Sequence, residues 1–101
     1  MKIAIIGAGA MGSLLGFALC QHAEVWLLDP WQAHVAAIRA AGLACERADS
    51  AETRRPHATT DPAEIGPADY ALVLVKAQPT PWAAEQARLL GSGPLVITLQ
   101  N

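Results

Sequence analysis

Apolar residues fall into short runs that alternate with stretches of helical spacing. Lys2-Ile-Ala-Ile-Ile6 is a brief β-prone run that ends at Gly7, the form of a strand buried on both faces. Met11, Leu14, Leu15, Ala18 and Leu19 then recur at i, i+3, i+4, i+7 and i+8, which predicts a helix over 11–21. Val25-Trp-Leu-Leu28 predicts a second buried strand that stops at Asp29-Pro30. Val35, Ile38 and several alanines predict a helix over 32–41, with Gly42 just past its end. The polar stretch 46–58 breaks the pattern and is expected to form an irregular hairpin or loop, with short strands near 43–46 and 57–60. Asp61-Pro62 reads as the cap and first turn of a short helix. Tyr70–Val75 is the most hydrophobic strand. Thr80 and Pro81 open a predicted helix over 81–91, Gly91-Ser-Gly-Pro94 ends it, and Leu95–Leu99 is the last strand. Strands alternating with helices predict an α/β, doubly wound, mainly parallel sheet covered on both faces.

Composition narrows the class. The chain has 101 residues, 52% hydrophobic and 16% charged, so one domain over 1–101 with a substantial core is expected. The formal net charge is −2, and the densest basic cluster is Arg54-Arg55, which leaves nucleic acid without the cationic face it needs. Cys20 and Cys45 stand far apart with no metal spacing and read as reduced thiols. The glycines between positions 7 and 16 argue against a signal peptide, and no apolar run reaches the roughly 20 residues of a membrane span. A cytoplasmic protein is expected. His22, His34 and His57 have no spacing that suggests a metal site and read as surface or structural; no metal is expected. Trp26 is expected in the core. Trp31 and Trp82 sit at strand-to-helix junctions, where ligands bind in this architecture.

Gly7-Ala8-Gly9-Ala10-Met11-Gly12 is a GxGxxG sequence that leaves a strand and opens a helix, the context in which it binds a dinucleotide pyrophosphate. Gly7 permits the tight turn, Gly9 lets a phosphate approach the backbone, and Gly12 lets the helix pack close to the sheet. Asp29 follows Gly12 by 17 positions, at the end of the second strand, where an acidic residue reaches the adenosine ribose. A carboxylate accepts from the ribose hydroxyls and repels a 2′-phosphate. With no Arg or Lys between positions 3 and 38, NAD(H) is favoured, while NADP(H) stays open. Asp29 also reads as the cap of the helix after Pro30, and the two roles are compatible. Lys76 follows the 70–75 strand and Asn101 follows the last one. Both belong at the carboxyl edge of the sheet, where Lys76 is suited to a carbonyl or carboxylate and Asn101 to a carboxamide or hydroxyl.

Four segments together resemble the N-terminal domain of the ketopantoate reductase (2-dehydropantoate 2-reductase) family. They are Ile6–Gly12, Leu28–His34 with Ile38–Leu43, Ala58–Ile65 leading into Leu72-Val-Leu-Val-Lys-Ala77, and Thr98-Leu-Gln-Asn101. The resemblance covers essentially the whole chain and implies a Rossmann-type fold and reduction of a 2-oxo acid by hydride transfer from a nicotinamide. It implies Lys76 and Asn101 as the residues near the nicotinamide and substrate, and Gly7, Gly9 and Gly12 as the pyrophosphate loop, with Ala8, Ala10 and Met11 completing it. Well-studied members prefer NADP(H) and carry an arginine where Asp29 stands. That departure supports NAD(H) and loosens any assignment to pantothenate biosynthesis. The family continues into a helical second domain with most substrate-binding residues, so these 101 residues are expected to hold cofactor without turning over substrate alone. The alternatives are a non-catalytic NAD-binding regulatory module, which has no need of Lys76, and the Rossmann domain of another hydroxyacid dehydrogenase. Apolar surface meant for a second domain is expected to drive homo-oligomerisation.

Overall fold

A computed structural model describes residues 1–74, 85, 86, 88, 89 and 95–98. The elements are β1 (Lys2–Ile6), α1 (Ala10–Leu19), β2 (Glu24–Leu28), α2 (Gln32–Ala41), β3 (Leu43–Glu46), β4 (Ala51–Arg54), β5 (His57–Thr59), α3 (Pro62–Ile65), β6 (Tyr70–Val73) and β7 (Leu95–Thr98). Five strands form one wholly parallel sheet in the order β5-β2-β1-β6-β7. The chain builds outward from β1 to β2 and β5, then crosses back over β1 to β6. The carboxyl ends of β1 and β6 therefore flank the point where strand order reverses, the position at which such sheets bind ligands. This is the expected Rossmann-type doubly wound fold.

The period-2 geometry of a strand explains why its residues are uniformly apolar. On β1, Ala4 and Ile6 join Leu28, Ile65, Ala71 and Val73 on one face. Ile3 and Ile5 join Val25, Leu27, Val35, Ile38 and Ala58 on the other. Ile5, Ile6, Leu27 and Leu28 have no solvent exposure at all. The outer positions are closed by polar chemistry: Asp69 accepts from the Lys2 backbone N–H at 2.7 Å, and the Lys2 ammonium donates to the Ile65 carbonyl at 2.5 Å.

Helix ends follow the turn chemistry read from the sequence. Gly42 closes α2 at φ 75° and donates to the Ile38 carbonyl. Asp61 caps α3, accepting from the Ala63 N–H at 2.9 Å, with Pro62 in the first turn. Of the expected 81–91 helix, Glu85, Gln86, Arg88 and Leu89 are helical; its other residues lie outside the described ones.

Two expectations need correction. The 46–58 stretch is more regular than its polarity suggests: β3 pairs with β4 in an antiparallel hairpin, with Leu43 opposite Arg54 and Cys45 opposite Glu52. β4 is exposed along most of its length and has no apolar alternation to reveal it. The strand near 57–60 is β5, which leaves the hairpin and pairs with β2 instead. Trp26 is half-buried at the edge of the core. Its ring stacks on His57 with centroids 4.4 Å apart, and its indole N–H donates to Glu24 at 2.7 Å. That hydrogen bond, helped by the nearby Lys2 and His57 charges, holds the Glu24 carboxyl below its ordinary range.

Candidate functional site

The turn between β1 and α1 is built by close backbone approach. Gly7 has φ 106°, and a Cβ placed there would lie 2.6 Å from the Leu74 carbonyl oxygen at the end of β6. A Cβ on Gly12 would lie 1.9 Å from the Gly7 carbonyl oxygen. Gly9 differs, since a Cβ there would meet nothing within 4 Å. Gly7 and Gly12 are thus required by the fold, whereas Gly9 opens onto free space where a ligand group fits.

Gly9 is the N-cap of α1, and the first intrahelical bond runs from Ser13 N–H to the Gly9 carbonyl at 2.8 Å. The N–H groups of Gly9, Ala10, Met11 and Gly12 are left without intrahelical acceptors. No acidic side chain occupies the first turn, so nothing of the helix's own competes for its positive end. These amides and the aligned peptide dipoles suit an anion such as a pyrophosphate.

Ala8 has a different part. It is fully buried, and its peptide groups are held from three sides. Its N–H donates to Asp29 Oδ2 at 2.9 Å. Its carbonyl accepts from the Ser13 hydroxyl at 3.1 Å and contacts His34 Nε2 at 2.5 Å, in the tautomer where Nε2 carries the proton. The glycine turn is consequently latched to both the end of β2 and the first turn of α2.

Asp29 sits at the carboxyl end of β2, half-buried, with its backbone N–H bonded to the Thr59 carbonyl of β5 at 3.2 Å. Its second oxygen, Oδ1, accepts from the Trp31 N–H at 2.9 Å. The N-cap of α2 is Trp31, with no side-chain cap bond, so Asp29 shapes the turn into the helix without capping it. A carboxylate has about four acceptor positions, and the two amides leave the remainder for a ligand's hydroxyls.

Sequence reasoning located the loop and Asp29 and read His34 only as surface or structural, without its contact with the glycine turn, against which it is half-buried. The signal was available in principle: a histidine in the first turn of α2 follows a strand end that already carries the acidic residue. Its role as a backbone latch depends on the relative placement of α2 and the loop, which no local spacing reveals. Gly16 was missed in the same way; a Cβ there would press within 2.9 Å of the Leu27 side chain, so it sets the closeness of α1 to β2. Lys76, Trp82 and Asn101 lie outside the described residues. Among the described residues no group of His, Cys, Asp and Glu is arranged to hold a metal, and no helix is long and apolar enough to cross a membrane.

Comparison with known proteins agrees with this geometry. The family model described as ketopantoate reductase PanE/ApbA matches residues 3–101. A 2-dehydropantoate 2-reductase of Halobacterium salinarum is 36% identical over the whole chain, which spans 34% of that protein. Among solved structures, a PanE/ApbA family ketopantoate reductase from Ralstonia eutropha JMP134 superposes with a TM-score of 0.85 at 40% identity, covering all of this chain and 34% of that one. A D-mandelate dehydrogenase, solved with NADH and anilino(oxo)acetate, gives a TM-score of 0.84 at 31% identity with the same coverage. The chain therefore spans about a third of the length of the relatives it matches. With fold, glycine turn and family match in agreement, the chain belongs to the ketopantoate reductase PanE/ApbA family.

Proposed function

We propose that residues 1–101 are the NAD(P)-binding domain of an oxidoreductase that reduces a 2-oxo acid of the 2-dehydropantoate type, with NADH as the preferred cofactor. The observation that carries this reading is the position of Asp29, bonded to the glycine turn and retaining acceptor capacity where an adenosine ribose is expected. Gly7, Gly9 and Gly12 shape the pyrophosphate site, and Gly9 to Gly12 supply its amide donors, with Ala10 and Met11 among them. Ala8 contributes through its bond to Asp29.

A bound nicotinamide supplies the hydride. This chain's part is to fix the cofactor's position, which is where most of its rate contribution lies. Lys76 and Asn101 are the proposed catalytic residues: Lys76 orients or polarises the oxo acid, and Asn101 holds the nicotinamide end. Because the chain covers a third of its relatives' length, these residues by themselves are expected to bind cofactor without sustained turnover. Robust 2-dehydropantoate reduction by the 101-residue chain would overturn that part.

One neighbour favours a second reading of the substrate. The similar D-mandelate dehydrogenase was solved with NADH, which fits both the NADH preference and a 2-oxo acid with a different side chain.

Calorimetric titration with NADH and NADPH separately tests the cofactor assignment. NADH is expected to bind the tighter, and Asp29→Asn, which removes the charge that repels a 2′-phosphate, is expected to narrow the gap. Tighter binding of NADPH by the unaltered chain would overturn the NADH preference, and binding of neither would overturn the domain's proposed role.

A further inference from the structure

We propose that Trp31, backed by His34, is the platform on which the adenine ring of the bound dinucleotide stacks. The inference rests on the reading above that a dinucleotide occupies the glycine turn, and it adds a residue that decides how the nucleotide base is held. Three observations carry it.

Trp31 is 66% exposed, an unusual state for the largest apolar side chain at a helix start. Yet it is not free. Its ring is stacked on His34, with centroids 5.5 Å apart and an interplanar angle of 25°. His34 is itself fixed by Nε2 against the Ala8 carbonyl at 2.5 Å. One face of the indole is thereby supported from the glycine turn, and the large exposed area belongs to the rest of the ring.

The backbone of Trp31 is registered to the ribose position by a second route. Its N–H donates to Asp29 Oδ1 at 2.9 Å, and Asp29 Oδ2 accepts from Ala8 N–H at 2.9 Å. Loop, carboxylate and Trp31 backbone form one hydrogen-bonded unit, and the indole is set by its stack on His34. A base attached to a ribose held by Asp29 meets the aromatic residue two positions further along the chain.

The chemistry is that of a stacking platform. Every nucleobase has a π-face, and a rigid indole with its conformation already fixed loses little entropy when a base is laid on it. The Trp31–His34 stack gives affinity for an aromatic base, while Asp29 reads the sugar.

The test uses the full chain, with ADP-ribose as the adenine-bearing probe and inorganic pyrophosphate as the probe that lacks a base. Calorimetry measures ADP-ribose affinity, amide shifts of Gly9 to Gly12 follow pyrophosphate, and tryptophan fluorescence reports stacking. Trp31→Ala is expected to weaken ADP-ribose roughly 5- to 100-fold and to leave the pyrophosphate shifts in place. Trp31→Phe is expected to retain most of the affinity and lose the fluorescence quenching that ADP-ribose causes in the unaltered chain. His34→Ala is expected to weaken ADP-ribose by freeing the indole. Unchanged ADP-ribose affinity in Trp31→Ala, with the unaltered chain still binding NADH, overturns the platform alone. Equal weakening of both probes overturns it too, since Trp31 would then act through the loop. Failure of the unaltered chain to bind NADH or ADP-ribose overturns the nucleotide reading and the platform together.

Discussion

The three glycines of the first turn have separable roles. At Gly12 an added methyl group would run into the Gly7 carbonyl at 1.9 Å, a backbone atom that cannot swing aside. Gly12→Ala is expected to lower stability by roughly 1–3 kcal/mol or more, the cost of overpacking a tight contact, read as a shift in urea midpoint. At Gly9 the same methyl group meets nothing within 4 Å and the backbone has φ −72°, which alanine adopts freely. Gly9→Ala is expected to cost under about 1 kcal/mol of stability, chiefly as a poorer N-cap, and to weaken NADH binding by tenfold or more. A Gly9→Ala chain that unfolds early, or binds NADH normally, would contradict this division. The motif itself was legible in the sequence. So was the division of roles among its glycines; the tertiary structure added the atoms that enforce it, the Leu74 carbonyl against Gly7 and the Gly7 carbonyl against Gly12. Asp29 was likewise legible by spacing, while its two amide partners required β1, β2 and α2 to be assembled.

At the level of elements, the hairpin β3–β4 is fastened to α1 through one arginine. Arg54 donates to the Phe17 carbonyl at 2.7 Å, lies 4.1 Å over the Phe17 ring and pairs with Glu52 at 2.5 Å, with its side chain 19% exposed. Arginine suits this site because its flat, many-donor head can stack and hydrogen-bond together. Arg54→Ala is expected to destabilise the chain by about 1.5–3 kcal/mol through the lost charged hydrogen bond and cation–π contact. Arg54→Lys should recover less than half of that. Amide exchange at Cys45 and Glu52, a hydrogen-bonded pair of the hairpin ladder, is expected to rise more than at Ile5 or Leu27, and uniform acceleration would show that the hairpin is not a separate unit. Hydrophobic periodicity identified β1, β2, α2 and β6 because each buries a face or both faces, and it located α1 but on the wrong face, since Met11, Leu14 and Ala18 of the expected stripe are exposed while Gly12, Gly16 and Phe17 are buried. It missed β4 because Ala-Glu-Thr-Arg has no apolar alternation, and its pairing with β3 is a tertiary event.

At the level of the whole molecule, several large apolar side chains face solvent: Met11 is 55% exposed, Leu14 57% and Ile97 39%. Met11 and Leu14 share the outer side of α1, and Ile97 belongs to β7, the last strand of the described sheet. Exposed apolar side chains of this kind favour association. The 101-residue chain is expected to self-associate as its concentration rises, seen as a growing mass by light scattering. Met11→Gln with Leu14→Lys should reduce that growth. A constant monomer mass at high concentration would count against it.

The amino-acid sequence by itself determined the alternation of strand and helix, the position of the glycine turn, the acidic residue at the end of β2 and the capped ends of α2 and α3. These are encoded by local rules: apolar periodicity, glycine's access to positive φ and the hydrogen-bonding habits of Asp and Pro. Only the tertiary structure decided the order β5-β2-β1-β6-β7, the departure of β5 from the hairpin and the meeting of Ala8, Asp29, Trp31 and His34 beside the glycine turn. Strand order depends on which faces bury one another, and a hydrogen bond between residues 26 positions apart depends on where two helices come to rest on the sheet. Neither is written in any window of sequence short enough to be read as a pattern.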